Sequence, residues 1–278
     1  PEDDAEKIFR GRHRLLAKFK MIESMAEDVL KAVQSKELLS REKQKLLEDK
    51  SVRLQYDKFV NKKIDKRAEK FKKAVEAETV RQHKRVTASL SKSIKALPIF
   101  FSKKQENKIF AELALPYMVE AATDSGQDAL DLLGTGETFN YTTALEKKLK
   151  ERAKLFASSV NNTTFDKLSR TLAEGIESGE GIAELSTCVN TVYEEFPIYR
   201  SDLIARTEST AVNKEGFQEA YNQSDVVKGQ EWIATIDDRT RDEHLDMDGE
   251  VVKVGENFSN GLPYPQEPNC RCTIAPVV

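Results

Sequence analysis

The sequence predicts a mainly α protein: a long N-terminal helical arm or hairpin, then a small C-terminal α+β domain with a two- or three-stranded sheet. Three observations predict it. Hydrophobic residues make up 39% and charged residues 33% of the 278 positions, with only 12 glycines, a balance that suits long solvated helices. Apolar residues recur at helical spacing through most of the chain. After Gly229 the pattern changes to short β-prone runs separated by turn formers. The boundary is set near Gly134 and Gly136, giving an extended helical region over 1–135 and the α+β domain over 136–278.

The first helix spans about Ala5 to Lys36. Leu15, Phe19, Ile22, Ala26, Val29 and Val33 alternate steps of four and three, a seam for another helix. From about Arg41 to Ser91 the helices continue with a thin apolar face of Phe59, Val60, Ile64, Phe71 and Val75. Ala96-Leu97-Pro98 breaks the pattern, because proline lacks a donor and clashes with the preceding turn. Ser102 with Gln105 reads as a capping box, and Thr143 with Glu146 as a second one. Asn161-Asn162-Thr163-Thr164 reads as a turn and a new cap, and Ser178-Gly179 as a helix stop. Gly181 with Glu184 opens a helix on which Cys188 faces the apolar side, as a buried, inert thiol. Phe196-Pro197 ends it, and a last long helix runs from Ile198 to about Tyr221. The expected strands are Glu231–Thr235, Glu250–Val254 and Cys272–Ala275, with an Asp248-Gly249 reversal.

Charge is uneven beneath a net of −3. Residues 1–110 carry 29 Lys and Arg against 17 Asp and Glu, and the remaining chain carries 15 against 30. Lys62, Lys63, Lys66 and Arg67, and further on Lys84 and Arg85, are candidates for sequence-independent contact with DNA phosphates; the competing reading is a solvated helix face. No apolar run approaches the roughly 18 residues of a membrane span. Three cysteines do not make a disulfide framework, which points to a reducing compartment. Phosphate-binding loops are absent.

Unusual residues gather between Arg206 and Cys272: the only tryptophan, Trp232, a charged run Asp237–His244, and Cys270-Arg271-Cys272. Cys270 and Cys272 point to one side of an extended segment, and with His244 they offer three zinc donors; an aspartate such as Asp237 or Asp242 would be a fourth. The competing reading is that the two cysteines pack at a sheet end. His244 beside Asp237 and Arg241 also has the residue types of a metal-assisted nuclease or other hydrolase, or of a loop-fixing hydrogen bond. Arg206 and Glu208 diverge on a helix, so Arg206 reaches a group elsewhere, as a structural tie between helix and sheet or as a substrate contact.

Taken in order, these landmarks resemble the phage head morphogenesis family of Mu F-like minor head proteins. The resemblance covers roughly Asn140 to Cys272. It rests on Gly179-x-Gly181-Ile182, Ile204-Ala205-Arg206-Thr207-Glu208 with Asn213, Trp232, Asp237-x-Arg239-Thr240-Arg241-x2-His244, Asp248-Gly249 and Pro268-x-Cys270-Arg271-Cys272. It implies a non-enzymatic minor capsid protein of a tailed bacteriophage, active in procapsid assembly. Its implied partners are the portal protein and a capsid or scaffolding protein, with double-stranded DNA contacted or accompanied during ejection. The implied location is the virion interior, after assembly in the host cytoplasm and with no membrane in the head. The resemblance also implies Arg206, Glu208, Asn213, Trp232, Asp237 and Arg241 as motif residues, no organic cofactor, and a suggested metal at His244, Cys270 and Cys272.

Overall fold

The structure is a computed structural model that describes residues 50–90, 101–134, 136–194 and 198–278. Among the described residues five helices come first: α1 (Lys50–Leu90), α2 (Lys103–Leu133), α3 (Thr143–Glu177), α4 (Ile182–Glu194) and α5 (Ile198–Gln223). Strand β1 (Gly229–Ile233), the short helix α6 (Asp242–Asp246), β2 (Val251–Val252) and β3 (Thr273–Val277) complete the chain. The mainly α class with a small C-terminal sheet is as expected. The seam from Leu15 to Val33 and the break at Pro98 lie outside the described residues. Among the described residues, no helix is long and apolar enough to cross a membrane.

The described residues form two compact units. The first takes residues 50–66, Glu120–Leu145 and Ser209–Val278; the second takes Arg67–Val119 and Glu146–Glu208.

The second unit is helical. Phe71, with its ring 5.3 Å from Phe156 and 5.7 Å from Tyr117, centres one part of its core. Val86, Leu90, Phe101, Leu168, Leu172, Leu185 and Val189 form another. A polar seam crosses these apolar layers: Gln82 Nε2 donates to Glu106 Oε2 (3.1 Å) and to Asn161 Oδ1 (2.8 Å). That seam corrects the turn expected at Asn161–Thr164. Helix α3 runs straight through it, because Asn161 is buried against Gln82 and the Thr163 and Thr164 hydroxyls donate to the carbonyls four residues back, both at 3.0 Å. Side chains that would otherwise compete for the backbone are thereby satisfied inside the helix.

The other helix signals hold with small shifts. Ser102 Oγ accepts from Gln105 N–H (3.3 Å). The cap of α3 is Thr142, not Thr143: its Oγ1 accepts from Leu145 N–H (3.1 Å). α3 ends at Gly179, φ +78°, where Glu180 N–H reaches Gly175 O (2.9 Å) and Gly179 N–H reaches Ile176 O (3.0 Å), the paired bonds of a Schellman stop. Pro116 lies inside α2, which continues past it for the loss of one backbone bond. Cys188 is half-buried rather than fully buried. It packs beside the core and donates to Glu180 Oε2 (3.4 Å); burial first, then that carboxylate, pushes its thiol pKa up, as an inert thiol requires.

The first unit packs helix against sheet. The sheet is antiparallel in the order β2-β1-β3, with Trp232 opposite Ile274 and Glu231 opposite both Val251 and Ala275. Tyr56 on α1 donates to Ile274 O (2.8 Å), and Arg53 donates to Glu231 (2.7 Å) and Asp248 (2.6 Å), so α1 is bonded to two parts of the sheet region. The strands differ from expectation at their ends. β1 starts at Gly229 because β3 runs on to pair it with Val277. β2 stops at Val252 because Lys253–Glu256 closes a turn with Gly255 at φ +86°. Thr235 leaves the ladder and donates to Asp57 Oδ1 (2.9 Å).

Candidate metal centre

Within the first unit, one helical turn, a β-turn and the extended run that continues from it meet at His244. The first is α6, a single helical turn on which His244 is the buried residue. The second is the turn Glu267-Pro268-Asn269-Cys270, closed by Cys270 N–H to Glu267 O (3.1 Å). Proline in its second position and Asn269 at φ +58° in its third are the pattern of a type II turn. The third is the extended Cys270-Arg271-Cys272, whose alternation sends both cysteines to one side and Arg271 to the other. Arg271 there forms a two-pronged ion pair with Asp237.

His244 Nδ1 lies 3.4 Å from Cys270 Sγ and 3.5 Å from Cys272 Sγ. Its other nitrogen, Nε2, is hydrogen-bonded to Glu267 Oε2. The three donor atoms all lie within 4.8 Å of one another, and His244, Cys270 and Cys272 are each 3% exposed or less. Trp232 stands edge-on to the imidazole, ring centres 5.3 Å apart, and Phe258 backs Trp232 at 5.2 Å.

The donor set and its spacing fit a zinc-type ion. Metal–nitrogen and metal–sulfur bonds of about 2.1 and 2.3 Å at a tetrahedral angle place N and S roughly 3.6 Å apart. The observed separations match without rearrangement. Three protein donors leave one tetrahedral position for water or another ligand. Electrostatics favour the ligating form at one of the three donors, Cys270, and the protonated form at Cys272 and His244, so an ion binding there would displace protons. The Cys272 thiol, and then His244, lower the Cys270 pKa, while the same contact and burial push Cys272 up, so one sulfur is the natural thiolate. The His244 pKa is raised, first by Cys270 and also by Glu267. The buried Lys214 adds positive charge toward both sulfurs.

The expected fourth donor and the expected catalytic pair do not form. Asp237 is engaged by Arg271 and by the backbone N–H of Arg239 (3.0 Å), contacts that hold its carboxyl down at about 2. Asp242 is exposed in the first turn of α6. Both nitrogens of His244 are engaged and the ring is buried. Arg241, just before α6, donates from Nη2 to Pro268 O (2.9 Å) and so fastens the His244 segment to the cysteine turn.

The remaining motif residues are dispersed. Asn213 is 1% exposed in the first unit, with an amide that has no hydrogen-bond partner among the described residues. Arg206 is half-buried in the second unit, and Glu208 there pairs with Arg152 (2.8 Å). Of the basic candidates, Lys63 pairs with Asp128 (3.1 Å), and Arg85 with Glu106 (2.6 Å) and Glu78 (2.9 Å). Lys62, Lys66 and Lys84 are exposed and Arg67 is half-buried. Sequence reasoning missed Glu267, Lys214 and Asp57. A carboxylate placed three residues before a cysteine across a Pro-Asn turn is the one local signal that pointed to Glu267.

Fold and site together define a helical protein whose C-terminal unit closes on a buried His/Cys cluster. Residues 166–275 match the family described as Phage Mu protein F like protein. The chain is 26% identical over 251 residues to YqbB, an uncharacterized protein of Bacillus subtilis strain 168, covering 77% of this chain and 80% of that one. It is 30% identical over 149 residues to the NAD(+)–arginine ADP-ribosyltransferase EFV of Enterococcus faecalis, covering 48% of this chain and 28% of the enzyme. It is 26% identical over 119 residues to the minor head protein GP7 of Bacillus phage SPP1, covering 39% of this chain and 38% of that protein. No solved structure matches.

Proposed function

We propose that this chain is a minor head protein of a tailed bacteriophage, a structural component of head morphogenesis rather than an enzyme. The match of residues 166–275 to the Mu F-like family carries this reading, and the likeness to a phage minor head protein supports it. Its proposed partners are the portal protein and a capsid or scaffolding protein, and its proposed place is the head interior. Contact with DNA during packaging or ejection falls to the exposed members of the basic set, Lys62, Lys66 and Lys84. Within this role His244, Cys270 and Cys272 hold zinc as a staple. Bound there, zinc would cross-link the one-turn helix α6 to the Glu267–Cys270 turn and the segment that leads into β3. Burial of all three donors supports a structural ion, while the one position they leave open is the arrangement a hydrolytic zinc uses.

The test is co-expression with the portal and major capsid proteins of the same phage, followed by gradient purification of the heads. The chain is expected in the head fraction and in a portal pull-down. Its absence from both would contradict the reading.

A further inference from the structure

We infer that Glu267 is a positioning residue that fixes which nitrogen of His244 meets the metal, an inference that rests on the metal reading above. A neutral imidazole carries one N–H and one lone pair, and only the lone pair ligates. Both sulfurs face Nδ1. A thiolate there would draw the proton onto Nδ1 and so block ligation. Glu267 opposes this from the far side of the ring. Its carboxylate only accepts, so the proton settles on Nε2 and the Nδ1 lone pair is left toward the sulfurs.

The turn chemistry makes the arrangement one unit. Glu267 and Cys270 are the two ends of a single four-residue turn, bonded to each other through the backbone. The carboxylate for one ring nitrogen and the first sulfur for the other therefore arrive together. Arg241 ties that turn to the segment carrying His244 through Pro268 O, and its guanidinium lies 4.0 Å from the Glu267 carboxylate. The contact thus orients the ring as well as its proton.

The experiment uses the full chain with E267A and E267Q variants. Zinc affinity is measured by competition with a chromophoric chelator, and the His244 tautomer by long-range nitrogen–proton NMR, with and without zinc. E267A is expected to bind zinc about 10–100-fold more weakly. E267Q, whose amide oxygen still accepts from Nε2–H, is expected to stay close to the wild-type value. Wild-type zinc affinity in E267A, or an E267Q protein as weak as E267A, overturns the inference. If the wild-type chain binds no zinc, the metal reading fails by itself. The tautomer in the metal-free chain then still decides the role of Glu267: Nε2–H in the wild type and a mixture in E267A supports it, and an unchanged tautomer overturns it.

Discussion

Gly216 packs on the backbone of Ala122. A Cβ added at Gly216 would stand 2.3 Å from the Ala122 carbonyl oxygen and 2.2 Å from Ser125 Oγ. Helix α5 therefore approaches α2 at a distance only glycine allows. Gly216→Ala is expected to destabilise by about 1–3 kcal/mol, the usual cost of overpacking. Denaturant midpoints check it; an unchanged midpoint would mean the helices separate freely.

Arg85 pairs with two carboxylates whose side chains are only 6% exposed, those of Glu78, which Arg81 also reaches (2.9 Å), and Glu106. Removing it leaves both buried. Arg85→Ala is expected to cost on the order of 2 kcal/mol, below the value for a fully buried pair because the guanidinium is partly solvated. Lys84→Ala, at an exposed neighbour, is expected to leave stability unchanged. For any DNA binding the expectation is reversed. Any salt-dependent binding is expected to weaken in Lys84→Ala with a shallower salt slope. Thermal unfolding and a binding titration over salt check both halves.

Asp57 gives a pH signature. Burial pushes its carboxyl up to about 6, against the Thr235 hydrogen bond and the charges of Lys214 and Arg271; Asp237 pushes it further up. Its folded value is raised, so between about pH 4 and 6 the folded state binds more protons than the unfolded state. Its contribution to stability therefore falls as pH rises through that window. Asp237 acts in the opposite sense: its pKa is lowered to about 2, chiefly by Arg271, and its contribution is lost as pH falls from about 4 toward 2. In Asp57→Asn the decline between pH 4 and 6 is expected to flatten. Melting curves at half-unit pH steps check it, and an unchanged slope would assign the decline to other groups.

Local chemistry was legible in the sequence. The Ser102 cap, the Gly179 stop and the reversal at Gly249, φ +88°, each depend on residues within one turn of each other. Where the deciding partner is distant, the reading failed. Asn161 reads as a turn former, and distant partners, Gln82 79 positions away and Asn107 54 positions away, hold it in a helix. The extent of β1 depends on Val277, nearly fifty residues on. The donors His244, Cys270 and Cys272 were identifiable by residue type and the Cys-x-Cys alternation. They were grouped there as one donor set; what brings them together was not legible, because it is made by α6, the Pro268-Asn269 turn and the Arg271–Asp237 pair acting together.

Metal content of the purified full chain is the most direct measurement. It is read by elemental analysis beside His244→Ala and the double variant Cys270→Ser/Cys272→Ser, with melting temperatures. The expected result is about one zinc per chain in the wild type. Both variants are expected to lose it and to melt several degrees lower, as loss of a structural ion requires. A metal-free wild type whose melting temperature is unchanged by added zinc would contradict a metal staple and leave the cluster as packing.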